Sequence, residues 1–322
     1  MKKKIKNIFF SLKILVSTGL LLYIILKFSP SFISATSALF NPYLLIAVLG
    51  NSLILIQILA VLRWNIFLKA ASMNIPLYRL LKINLKAIFW GLILPSADGF
   101  ALIRIYYLEK EHSAKKGIAS GTVILEKVTG AICLCSLALI FSFFAKNISY
   151  LVKIRIIITI LLILTIGFFL LITRIKLGEK ILKKKIFLSK MGKNIAQYLD
   201  NLNRILNNRN FVKATLKALP LILLVQLFCI LNVHLLFIIL GTELNLINNL
   251  VLVPIIQILS LIPISISGFG VREGLFSYLY QTLGVDISIS FTVSILNFIF
   301  LTGFPATTGG ILYIIAKLKK NS

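Results

Sequence analysis

Two proline–glycine breaks, each followed by an arginine, are where this chain's residues could do chemistry. One reads Leu94-Pro95-Ser96-Ala97-Asp98-Gly99-Phe100-Ala101-Leu102-Ile103-Arg104. The other reads Ile262-Pro263-Ile264-Ser265-Ile266-Ser267-Gly268-Phe269-Gly270-Val271-Arg272. In both, the arginine follows the proline by nine residues, with a Gly-Phe pair between. Proline ends a helix, and glycine lets the backbone turn or approach closely. A helix that restarts after such a break presents unpaired N–H groups, which suit a phosphate. An arginine nearby can grip the same group with a bidentate fork. The pattern points to anion binding at two related places.

Arg104, Glu126, Lys127, Arg272 and Glu273 all lie in or beside apolar runs. A charge at the centre of a membrane helix costs about 2.5–3.5 kcal/mol on insertion scales, so such groups pair with one another or line a wet cavity. Glu126 suits Arg104 or Arg272 equally well as a partner. Asp98, one residue before Gly99, and Glu273, next to Arg272, are the carboxylates closest to the breaks. Lys127 has a plainer reading, as a side chain that snorkels from a helix end. Arg79, Lys82 and Lys86 are spaced three and four apart and share one helix face leading to the first break. That face reads as a basic ramp for an anionic headgroup or as ordinary interfacial cations. Metal chemistry is not expected, with two histidines in the chain and no CxxC pair among Cys133, Cys135 and Cys229. No cofactor is expected either. Gly268-x-Gly270-xxx-Gly274 has no βαβ unit around it and is not a dinucleotide fingerprint.

These groups must be positioned by helices in a bilayer. The chain has 322 residues, of which 59% are hydrophobic and 14% charged, against about 25% charged in soluble domains. Apolar runs cover about Ile8–Leu26, Tyr43–Leu62, Leu80–Leu94, Gly117–Ala145, Ile154–Thr173, Ala218–Leu240, Leu250–Ile262 and Ile287–Ala316. The second ends in Arg63 and Trp64, a cation and an aromatic read here as interfacial. The last holds Gly303, Pro305 and Gly309–Gly310, so a kink or a split is expected in it. The net charge of +26 would suggest nucleic acid in a soluble protein. Here the basic residues sit at the ends of apolar runs, and nucleic acid is excluded as a partner.

Topology follows from the same charges. The stretch 174–217 carries twelve Lys/Arg against Glu179 and Asp200, which places it in the cytoplasm with both termini. Lys27–Pro42 and Gly241–Asn249 hold one basic residue between them, as external loops do. The runs ending at Pro95 and Pro263 are short for spans of about 20 residues. If both are re-entrant hairpins, six spans remain, and the hairpins enter from opposite sides. Opposed broken segments are the sequence pointer to an inverted-repeat transporter; eight simple spans also fit the termini. The fold expected is an all-α polytopic membrane protein of six to eight transmembrane helices, residues 1–322 forming one membrane domain with 174–217 as a basic cytoplasmic loop. The expected location is the cytoplasmic membrane of a prokaryote.

The same segments carry a family resemblance. Leu94-Pro95-Ser96 with Asp98-Gly99 and Arg104-Ile105-Tyr106-Tyr107-Leu108 resembles the Pro-Ser/Gly/Arg segment of the lysylphosphatidylglycerol synthase transmembrane-region family, also called the flippase-like domain. Leu125-Glu126-Lys127-Val128-Thr129-Gly130 is similar to its acidic-basic-x-x-Gly helix. Ile262-Pro263 through Gly268-Phe269-Gly270-Val271-Arg272-Glu273-Gly274 is similar to its most specific motif. Ala97-Asp98-Gly99-Phe100 departs from the family's usual Gly-Gly-Asp order. The family's full-length synthases add a soluble aminoacyltransferase domain, which is not expected here. The resemblance implies translocation of a phospholipid or another lipid-linked anion.

Three functions are therefore carried forward. A flippase would pass an anionic headgroup between the breaks, by way of Lys82, Lys86, Arg104 and Arg272. A lipid-modifying transferase would need a donor-binding domain, for which there is no sequence sign. A membrane subunit would dock a separate soluble synthase through the basic loop.

Overall fold

A backbone in hydrocarbon must satisfy its polar groups internally, and helices do so within one segment. A computed structural model of the chain describes residues 42–93, 99–111, 117–145, 151–174, 209–260 and 270–321. Among them the ordered elements are all helical. Helix α1 (Pro42–Leu49) passes through a π-helical segment (Gly50–Leu55) into α2 (Ile56–Ala70). Then come α3 (Leu77–Ile93), α4 (Gly99–Glu111), α5 (Ile118–Ser142), α6 (Leu151–Arg174) and α7 (Arg209–Ile239). The second half continues with α8 (Leu246–Ser260), α9 (Val271–Gln281) and α10 (Ile287–Phe298). A second π-helical segment (Ile299–Gly303) joins α10 to α11 (Phe304–Asn321). The run expected to kink near Gly303 and Pro305 thus continues as helix, with its irregularity taken up by the π segment.

Among the described residues, five helices are long and apolar enough to cross a membrane: Leu45–Ala70, Ile118–Ser142, Leu151–Leu170, Arg209–Ile239 and Ile287–Leu318. They correspond to five of the six spans of the hairpin scheme. The sixth, Ile8–Leu26, lies outside the described residues, as does most of the basic loop. Helices α3 and α4 are too short to span singly, since 17 and 13 residues reach about 26 Å and 20 Å. They run antiparallel. Gly91 faces Phe100, and Lys86 stacks on Tyr107 at 5.5 Å, pairs that are nearly symmetric about the connection between the helices. Helices α8 and α9 repeat the arrangement, with Tyr280 Oη donating to Asn249 Oδ1 at 2.6 Å. Both short pairs are hairpins.

The halves are related in detail. Helices α2 and α7 end in the same hydrogen-bonded cap. Ser72 N–H reaches Lys69 O and Met73 N–H reaches Leu68 O; Gly241 N–H reaches Ile238 O and Thr242 N–H reaches Phe237 O. Ser72 and Gly241 hold the left-handed position at φ 59° and 71°, the Schellman geometry that glycine adopts at least cost. Each cap then leads into a short hairpin and a long helix. Helices α2 and α7 pack together. Asn51, before α2, meets Asn232 late in α7, while Phe67 late in α2 clusters with Phe211 and Ala214 early in α7. The two helices are therefore antiparallel, and the repeat is inverted. The hairpins cross over: α3 lies on α11 of the second half, and α8 lies on α5 of the first. At the α3–α11 contact a Cβ on Gly309 would sit 2.1 Å from the Leu85 carbonyl oxygen, so only glycine allows that approach.

Candidate functional site

Between the halves, where the hairpins cross, lies an open cavity of about 510 Å³. Arginines reach it from three elements: Arg63 from α2, Arg104 from α4 and Arg272 from α9. Glu126 of α5 lies among them, 4% exposed. One Glu126 oxygen accepts from the Arg63 guanidinium, and the other accepts from Arg104 Nη2 at 2.6 Å. One carboxylate thus joins α2, the first hairpin and α5. The Arg104 guanidinium also lies against two rings, 3.7 Å from the centroid of Trp64 and 5.0 Å from that of Phe100. Stacking of this kind suits the planar, weakly hydrated guanidinium.

The second break is organised differently. Arg272 pairs with its neighbour Glu273, its Nε donating to Oε1 at 3.1 Å, and lies over the Phe298 ring at 4.7 Å. The other Glu273 oxygen accepts from the Gly270 N–H at 2.7 Å, across the start of α9. The carboxylate three residues into the helix therefore already occupies part of the amide cluster expected to face a phosphate. Among the described residues at the start of α9, Arg272 is the group that lines the cavity.

Of the residues singled out in the sequence, Arg104, Arg272, Glu126 and Gly99 line this cavity together. Glu273 stands behind Arg272, and Gly270 opens α9. Glu126 pairs with Arg104 among the two partners open to it. Asp98, Pro95, Pro263 and Gly268 lie outside the described residues. Lys82 and Lys86 are not on the cavity wall. Lys82 is exposed and stacks on Tyr78 at 5.5 Å, and Lys86 stacks on Tyr107. The face of α3 turned inward carries Asn84, Ile88 and Gly91 instead. Lys127 lies on the exposed side of α5.

Arg63 was missed. It reads as an interfacial cation after an apolar run, but α2 continues to Ala70, and Trp64 is fully buried under Arg104. Several neutral polar residues were missed as well. Asn84 Nδ2 donates to Gln57 Oε1 at 3.0 Å on the wall, and Gln257, Ser260, Asn297 and Thr302 complete it. These groups give the cavity hydrogen-bonding capacity beyond its charges.

Antiparallel halves, crossed hairpins and a polar cavity between them define a polytopic helical membrane protein built as an inverted repeat. Residues 10–309 match the family described as Lysylphosphatidylglycerol synthase TM region, and the chain belongs to that family. No curated protein and no solved structure matches the chain.

Proposed function

We propose that the chain moves an anionic phospholipid or lipid-linked headgroup across the membrane. The observation that carries this reading is the shared cavity: each inverted half sends one hairpin arginine, Arg104 or Arg272, into the same space. Inverted-repeat transporters place the substrate where their broken segments meet, and rock one half against the other around it. Arginine forks recognise the phosphate that such lipids have in common, and the neutral amides on the wall suit headgroups that carry hydroxyls. The test is dithionite quenching of tail-labelled phosphatidylglycerol in proteoliposomes of the purified protein. Quenching beyond the outer-leaflet fraction is expected, and kinetics equal to protein-free vesicles would overturn the reading. Lipid extracted from the same vesicles, after incubation with activated donors, is expected to contain no new species; a new aminoacyl-lipid would turn the assignment to a transferase.

The orientation proposed is that of a prokaryotic cytoplasmic membrane, with the termini and 174–217 inside, on the strength of the basic excess there. Lys190→Cys in a cysteine-free background is expected to resist a membrane-impermeant thiol reagent in intact cells and to react after permeabilisation. Strong labelling of intact cells would reverse the topology.

A further inference from the structure

The two π-helical segments pack against each other beside the cavity, and neither contributes a charged group to the arginine site. At the end of the first, the Ile56 N–H reaches the Asn51 carbonyl; at the end of the second, the Phe304 N–H reaches the Ile299 carbonyl. Both amides reach back five residues. A helix returning from this pattern to four-residue spacing passes over one carbonyl, which loses its helical amide partner. In the second segment Pro305 adds to the effect, because it has no N–H to give the Leu301 carbonyl. Leu301 and Thr302 both lie on the cavity wall. π segments of one turn recur at functional sites, and two meeting inside one membrane protein call for a ligand that uses oxygen.

Side chains converge on the same place. Asn51 Nδ2 donates to the Phe228 carbonyl at 2.9 Å and to Asn232 Oδ1 at 3.4 Å. Asn232 Nδ2 donates in turn to Asn297 Oδ1 at 3.0 Å, and Asn297 lines the cavity. The Phe228 contact fixes the orientation of the Asn51 amide, since two carbonyl oxygens cannot hydrogen-bond to each other. Asn51 Oδ1 is therefore held pointing elsewhere. The residue is 5% exposed, and this oxygen has no hydrogen-bond donor among the described residues. A buried polar atom in that state calls for an unseen partner.

We propose that Asn51 Oδ1 and the carbonyl oxygens released by the two π-helical segments bind a small monovalent cation. The donors are neutral, hard oxygens, the set that replaces the hydration shell of an alkali ion. No carboxylate is part of the set, so a divalent ion would meet too little opposing charge in a water-poor interior. The proposal goes beyond lipid translocation and does not require it. Where both hold, a cation here and an anion in the adjoining cavity attract, and each raises the other's affinity by the same factor.

The experiment is thermal unfolding of the purified full chain in detergent, with NaCl titrated against choline chloride at constant ionic strength. A midpoint that rises saturably with Na+ and stays flat in choline is expected, because a ligand that binds only the folded state stabilises it by mass action. Asn51→Leu is expected to lose the Na+ response. Asn51→Asp adds a charge to the set but turns an oxygen toward the Phe228 carbonyl that Nδ2 serves, so its midpoint without Na+ is expected to fall. Its half-saturating concentration is expected to drop by about tenfold or more, as ligand charge tunes oxygen-only cation sites over decades. Should neither variant fold, the comparison of NaCl with choline chloride on the unaltered chain still decides. Identical midpoints in NaCl and choline chloride, an intact Na+ response in Asn51→Leu, or an unchanged half-saturation in Asn51→Asp would each overturn the site. A Na+ response without lipid movement in vesicles would keep the site and remove only the translocation reading.

Discussion

Glu126→Ala is expected to leave little folded protein in the membrane. The carboxylate is buried and serves two guanidiniums, Arg63 and Arg104, with one oxygen each. Without it, two cations face one another where water is scarce, and Arg104 is only 3% exposed. Removing one partner of a buried ion pair costs about 3–5 kcal/mol, a large share of the roughly 5–15 kcal/mol typical of a domain's whole stability. The loss also unties three elements, because Arg63, Arg104 and Glu126 come from α2, α4 and α5. Glu126→Gln keeps the shape but turns an NH2 toward one of the arginines, so it is expected to be nearly as damaging. Removing a cation at the same time, as in Glu126→Gln with Arg63→Met, is expected to recover part of the folded yield. Monodisperse yield in detergent and the thermal midpoint read all three variants. A Glu126→Ala protein with wild-type yield and midpoint would mean that the arginines are neutralised by something other than this carboxylate.

The parts of this architecture that were legible in the sequence were written in residues with few alternatives. Pro95 and Pro263 cannot continue a regular helix, and the apolar runs before them are short, so two hairpins were one of two arrangements the sequence left open, beside eight simple spans. Glu126 was legible because a carboxylate in an apolar run must find a cation, and Arg104 was one of the two cations in reach. Arg63 was hidden by its position. Hydropathy marks where an apolar run stops, but an inward-facing arginine and a helix end look alike to it. The amides were hidden for a related reason: a single Gln57, Asn84 or Asn297 among apolar neighbours carries no period. Lys82 and Lys86 show the reverse case. Their spacing correctly put them on one helix face, but spacing does not say which face meets the cavity, and Asn84 with Gly91 took that side. The inverted relation of the halves was expected from the opposed breaks, and in the structure it rests on Asn51 meeting Asn232 and Phe67 clustering with Phe211 across antiparallel helices.

Arg272→Lys is expected to lower translocation by about tenfold or more while folded yield stays near wild type. Lysine keeps the charge that Glu273 requires, but it is a compact ammonium without a planar fork, and it cannot hold that carboxylate and a phosphate in one plane. Loss of a charge-assisted hydrogen bond to a ligand is worth about 1.5–3 kcal/mol, and about 1.4 kcal/mol is tenfold in an equilibrium constant. Arg272→Ala is a poorer test, because it strands Glu273, which is 3% exposed and holds the Gly270 amide at the start of α9. That variant is expected to lose both transport and stability. The two effects separate in Arg272→Gln with Glu273→Gln. There no buried charge is left alone, and the side-chain carbonyl introduced at position 273 can still accept from Gly270. This double variant is expected to regain folded protein without regaining transport. Vesicle quenching and the thermal midpoint, measured on the same preparations, decide the matter. Arg272→Lys transporting at the wild-type rate would remove the bidentate role. A double variant that transports normally would show that Arg272 serves only the hairpin's fold.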